Sequence, residues 1–92
     1  MNPMFNADDQ EEVVLYRTSD IHFASFLGAL DVPLVNTERE ESGDGRTKVM
    51  FVFRVPSSSL RQLKAQYFGG TGTVKVQKFV QQLRSLKSMC FT

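Results

Sequence analysis

Ninety-two residues at 10.4 kDa, 41 % of them hydrophobic, make one domain with one modest core, which excludes a two-domain enzyme built around an interdomain cleft. The single cysteine, Cys90, excludes an intramolecular disulfide. No run approaches the roughly 18 apolar residues of a membrane span, and the acidic start from Met1 to Glu12 does not read as a signal peptide, so a reduced, soluble, cytoplasmic protein is expected.

The net charge of +1 hides a segregation. Residues 1–46 hold all ten acids and three bases, net −7, and residues 47–92 hold eight bases and no acid, net +8. Such a split suggests a basic surface that meets a polyanion, or halves that interleave in space and neutralise each other.

In chain order, residues 1–10 carry little periodicity and are expected to form a flexible acidic tail before a single domain over 11–92. Val13, Val14, Leu15 and Tyr16 predict a first strand over about 12–17. Thr18, Ser19 and Asp20 offer cap oxygens to a first helix over about 20–30, where Ile21, Phe23, Ala24, Phe26, Leu27 and Leu30 recur at helical spacing. Asp31 and Pro33 end it. The runs 34–40 and 48–55 flank the polar turn 41–46 and predict a β-hairpin.

In its second strand Val49, Phe51, Phe53 and Val55 make one apolar face while Met50 and Val52 make the other apolar too, so this strand is central or half of a homodimer interface. Pro56 and the serines 57–59 stop the strand and cap a second helix, in which Leu60, Leu63, Ala65, Tyr67 and Phe68 precede Gly69 and Gly70. Val76, Phe79, Val80, Leu83, Leu86 and Cys90 step at three and four residues and predict a third helix over about 75–89. The order β-α-β-β-α-α predicts an α+β fold with a small, mostly antiparallel sheet. Its expected core is Phe23, Phe26, Leu27, Leu30, Phe51, Phe53, Leu63, Phe79, Val80, Leu83 and Leu86.

Several stretches taken together carry a likeness: Tyr16 to Asp20 leading into Ala24 to Leu27, then Lys48 to Phe53, then Phe79 ahead of Leu83 to Ser88. The chain resembles, over about residues 13–90, a family of small phage and bacterial proteins catalogued only as a domain of unknown function. The resemblance implies a context, a small accessory protein of a phage or other mobile element, and no catalytic residue or cofactor.

Catalytic chemistry finds little footing. One histidine and one cysteine, 68 positions apart, do not make a metal site, so no metal and no cofactor are expected. Asp20 reads as a helix cap rather than a partner of His22, and Cys90 as a small hydrophobe on the last helical turn. The carboxylates of the hairpin turn lack the shielded, opposed settings that paired acids need. No enzyme is expected.

Binding chemistry is better represented. Arg61, Lys64, Lys75, Lys78, Arg84 and Lys87 lie on two helices and their connection, and an acid-free surface of this kind would meet the phosphates of DNA or RNA. Lys78, Arg84 and Lys87 are expected close to a shared flank of the third helix. The loop from Gly69 to Thr73, with Thr71 and Thr73, leads into that helix and reads either as a phosphate cradle or as a glycine stop followed by a threonine cap. Tyr67 and Phe68 would stack on bases if they project, the alternative being core packing, which is stronger for Phe68. The leading expectation is a nucleic-acid-binding module. The alternative is a protein-interaction module of a phage, an adaptor or inhibitor of a host or phage protein acting through the apolar strand and the acidic tail (Asp8, Asp9, Glu11 and Glu12), or a homodimer through Met50 and Val52.

Overall fold

A computed structural model describes residues 12–41 and 43–90. The tail expected over 1–10 lies outside the described residues. The elements are β1 (Val13–Thr18), α1 (Ile21–Ala29), β2 (Leu34–Glu41), β3 (Thr47–Pro56), α2 (Ser57–Phe68) and α3 (Val76–Cys90), an α+β fold in the β-α-β-β-α-α order. The sheet is antiparallel with strand order β1-β3-β2, so β3 is central. The elements agree with the predicted ones to within a residue or two at each end.

Local chemistry sets the boundaries. Asp20 caps α1, its Oδ1 accepting from the amides of His22 at 3.0 Å and Phe23 at 3.1 Å, and Thr18 Oγ1 accepts from the Asp20 amide. Asp20→Ala is therefore expected to cost about 1 kcal/mol, within the roughly 0.5–2 kcal/mol of lost caps, while Asp20→Asn retains most of it; a urea melt distinguishes the two. The helix ends at Asp31, which takes a left-handed φ of 64° while its amide donates to Gly28 and that of Val32 to Leu27. The serines 57–59 lie inside α2 rather than capping it: its cap residue is Pro56, with no side-chain cap bond, and the Ser57 amide donates to the Glu12 carbonyl.

Strand alternation separates two faces. Register places Val14, Tyr16 and Thr18 beside Val55, Phe53 and Phe51, and this face meets the helices. The core holds Phe23, Ala24, Phe26 and Leu27 of α1, Phe51 and Phe53 of β3 and Leu86 of α3, all buried, with Leu60, Leu63, Tyr67 and Phe79 packed against it. Nearly every side of α1 is buried, Ser25 included, whose hydroxyl donates to the Ile21 carbonyl. Two expectations need correction. Leu30 is exposed, because it lies past the last turn of α1, and Leu63, Phe79, Val80 and Leu83 are half-buried rather than buried, Leu63 and Phe79 packing against the core.

The opposite face carries Val13, Leu15 and Arg17 of β1 beside Arg54 and Val52, with Glu38 of β2 beside Met50. Arg17 and Glu38 come from the two edge strands and pair across β3, Nε donating to Oε1 at 3.0 Å and Nη2 to Oε2 at 3.5 Å. This bridge passes over the central strand beside Val52. Val52 is 1 % exposed and Met50 half-buried, so Val52 is a filled position of the single chain rather than a free contact. The apolar surface on this face belongs instead to Val13 and Leu15 at the edge, 54 % and 53 % exposed.

Candidate nucleic-acid interface

The nine residues expected to contact phosphate or bases do not form one surface. α1 packs along α3 and also meets α2, while α2 and α3 do not pack along each other. The basic side chains therefore divide into a group on α2, a group at the start of α3 and a group on the outer side of α3.

On α2, helical phase decides which side chains are available. Leu60, Leu63 and Tyr67 follow one another at three and four residues and turn toward the core. Arg61, Lys64 and Phe68 follow the same spacing one residue later, about 100° around the helix, and are exposed. This reverses the expected roles of the two aromatics. Tyr67 is wedged against Phe23 and Phe26, with ring centroids 5.1 Å and 5.2 Å away, whereas Phe68 is 66 % exposed. Partial burial pushes the Tyr67 phenol above its ordinary pKa, and the carboxylate of Asp20 adds to the effect; the half-buried ring packs against the core. The spacing Leu60-Leu63-Tyr67 carried that signal in the sequence.

Phe68 is held in place although it is exposed. Its ring lies 5.4 Å from the fully buried Phe23, inclined by 36°, and 4.9 Å from Tyr67 in an edge-on contact. Lys64, one turn earlier, places its ammonium 4.6 Å from the centroid of the Tyr16 ring. Neither Arg61 nor Lys64 forms an ion pair among the described residues.

The loop after α2 is not a phosphate cradle. Its amides are spent on the helix it terminates: Gly69 donates to Ala65, Gly70 to Tyr67, and Thr71 and Gly72 both to Gln66. With Gly70 at a φ of 79°, this is a helix stop of the left-handed kind, the glycine part of the second alternative without its threonine cap. Thr71 and Thr73 are exposed. The carbonyl that opens α3 is that of Lys75, accepting from Phe79, so Thr73 lies two residues before the cap position.

Lys75 and Lys78 border a shallow cleft of about 450 Å³ with Thr73, Val74, Leu30 and Asp31. Lys78 is tied there to Asp31 at 3.3 Å, which joins the acidic and basic halves of the sequence. Farther along, Lys78 and Lys87 are nine residues apart, two and a half turns at 3.6 residues per turn, and so emerge on opposite sides of α3. The expected shared flank is corrected accordingly: Arg84 and Lys87, three apart, are neighbours, and Lys78 is not.

The other chemically capable groups are engaged or dispersed. Asp20 is a cap, His22 is exposed, and Cys90 is packed against the core. Among the described residues no three His, Cys, Asp or Glu converge as a metal site would need, and no helix is long and apolar enough to cross a membrane. Comparison of the chain with protein-family models, with curated proteins and with solved structures finds no match.

Proposed function

We propose that this chain is a non-catalytic nucleic-acid-binding accessory protein, acting in the phage or mobile-element context that its resemblance implies. The observation that carries the reading is the exposed stripe of α2, in which Arg61 and Lys64 stand in line with Phe68 and have no carboxylate partner among the described residues. Two cations without a carboxylate partner among the described residues, Lys64 resting over the Tyr16 ring, beside an exposed Phe68 match the combination of phosphate attraction and aromatic contact that non-specific nucleic-acid binders use. Arg84 and Lys87 supply a second basic patch on α3.

Salt dependence tests this directly. Each phosphate neutralised contributes a log–log slope of about −0.7 to −0.9, so changing Arg61 and Lys64 together to Gln should flatten the slope by about 1.4–1.8. Changing Lys75 and Lys78 to Gln should flatten it less, because Lys78 already faces Asp31. Fluorescence anisotropy of a labelled oligonucleotide at several salt concentrations gives both values. Equal slopes for the wild type and the Arg61/Lys64 double variant would reject this interface.

A second reading, a protein-interaction module, rests on the contrast between the two sheet edges. β2 is protected, with a register irregularity between Leu34 and Asn36 and four charged residues from Glu38 to Glu41. β1 has one charged residue, Arg17, and half-exposed Val13 and Leu15, the features of an edge that accepts an added strand. Leu15→Lys should abolish self-association or partner capture in sedimentation if this edge is used.

A further inference from the structure

We infer that the α2 interface takes single-stranded nucleic acid, with one base stacked on the open side of Phe68 and the adjoining phosphates on Lys64 and Arg61. The inference rests on the nucleic-acid reading above and adds the strand type and the stacking residue.

A large aromatic left two-thirds open on a small domain forgoes burial that the domain needs, and this one is kept open in a fixed pose. Phe23 and Tyr67 support the ring from the protein side, so little freedom is lost when a second flat group covers the other side. The surroundings leave room. The next two residues, Gly69 and Gly70, have no side chains, and a Cβ placed on Gly70 would meet nothing within 4 Å. Along α2, Lys64 and Arg61 lie four and seven residues before Phe68, about 6 and 10.5 Å along the axis at 1.5 Å per residue. A short run of backbone leading away from the stacked base would meet Arg61 directly and Lys64 once its ammonium swings off the Tyr16 ring.

In a duplex the bases are already stacked on one another and their faces are closed to the protein. An unpaired strand offers a π-face at every position and so binds such a platform with little regard to sequence.

The test uses the full chain with three labelled ligands: a 12-nucleotide oligo-dT, a 12-base-pair duplex, and a 12-residue abasic strand that keeps the phosphates without the bases. Oligo-dT is expected to bind roughly tenfold or more tightly than the abasic strand, and Phe68→Ala to bring the two together without changing the salt slope. Because Phe68 touches Phe23, Phe68→Trp provides an independent readout that keeps an aromatic in place. The chain has no native tryptophan, so its emission should be quenched by oligo-dT and not by the abasic strand or the duplex. Equal affinity for oligo-dT and the abasic strand, an unmoved tryptophan signal, or tighter binding to the duplex would overturn the stacking inference while leaving phosphate binding by Arg61 and Lys64 in place. Absence of binding to all three ligands at low salt would overturn both.

Discussion

Replacing Phe23 with alanine is expected to leave the domain largely unfolded at room temperature. Phe23 is fully buried in the first turn of α1, and its ring meets Tyr16 at 5.9 Å, Phe26 at 6.2 Å, Tyr67 at 5.1 Å and Phe68 at 5.4 Å. It therefore joins β1, α1 and α2, and no one neighbour can move in to fill its place. Truncating a buried Phe costs about 3–5 kcal/mol, while small domains have on the order of 5 kcal/mol of net stability. Circular dichroism with a urea titration should show a lost or strongly shifted cooperative transition. Phe68→Ala, which removes a ring that is mostly in solvent, should retain most of the stability. If the two variants melted alike, the placement of Phe23 at the centre of the core would be wrong.

The second large effect is expected at Gly72, where adding one methyl group should destabilise the fold by about 1–3 kcal/mol. A Cβ at this position would lie 2.8 Å from Cζ and 2.9 Å from Cε1 of Phe26, closer than carbon atoms pack. The ring has little room to retreat: Phe26 is 3 % exposed, nearly parallel to Phe23 and in contact with Tyr67. Either the loop lifts from α1 or the aromatic cluster shifts as a group. For a domain of this size each 1 kcal/mol lowers the melting temperature by about 4–8 °C, so Gly72→Ala should be visible in a simple thermal scan. Gly43→Ala is the control, since a Cβ there would meet nothing within 4 Å and should leave the midpoint in place. A Gly72→Ala protein melting with that control would show that the loop does not rest on Phe26.

The architecture was legible in the sequence because its signals are local. Period-two and period-3.6 patterns, the Asp20 cap, the polar turn before β3 and the glycines after α2 depend on a few neighbouring residues, and the strands and helices follow them closely. The helical phase of α2 was equally local: Leu60, Leu63 and Tyr67 mark the inward face, and Phe68 is left outside it by one step of rotation. So was the separation of Lys78 from Lys87, which follows from counting turns.

Other features depend on what meets what across the fold. Val52 is buried on the central strand, and Arg17 and Glu38, 21 residues apart in the chain, pair across that strand; no local pattern encodes that pairing. The loop from Gly69 to Gly72 has a composition equally suited to cradling an anion or ending a helix; the direction of its amides, back to Ala65, Tyr67 and Gln66, decided between them. The two halves of the sequence meet in the fold, since α1, from the acidic half, packs against α3 and also meets α2, and Asp31 came to rest against Lys78. Charge order along a chain is one-dimensional and folding redistributes it in space, so helical spacing alone puts Arg61, Lys64 and Phe68 on one side of α2, while tertiary packing decided that this side is exposed.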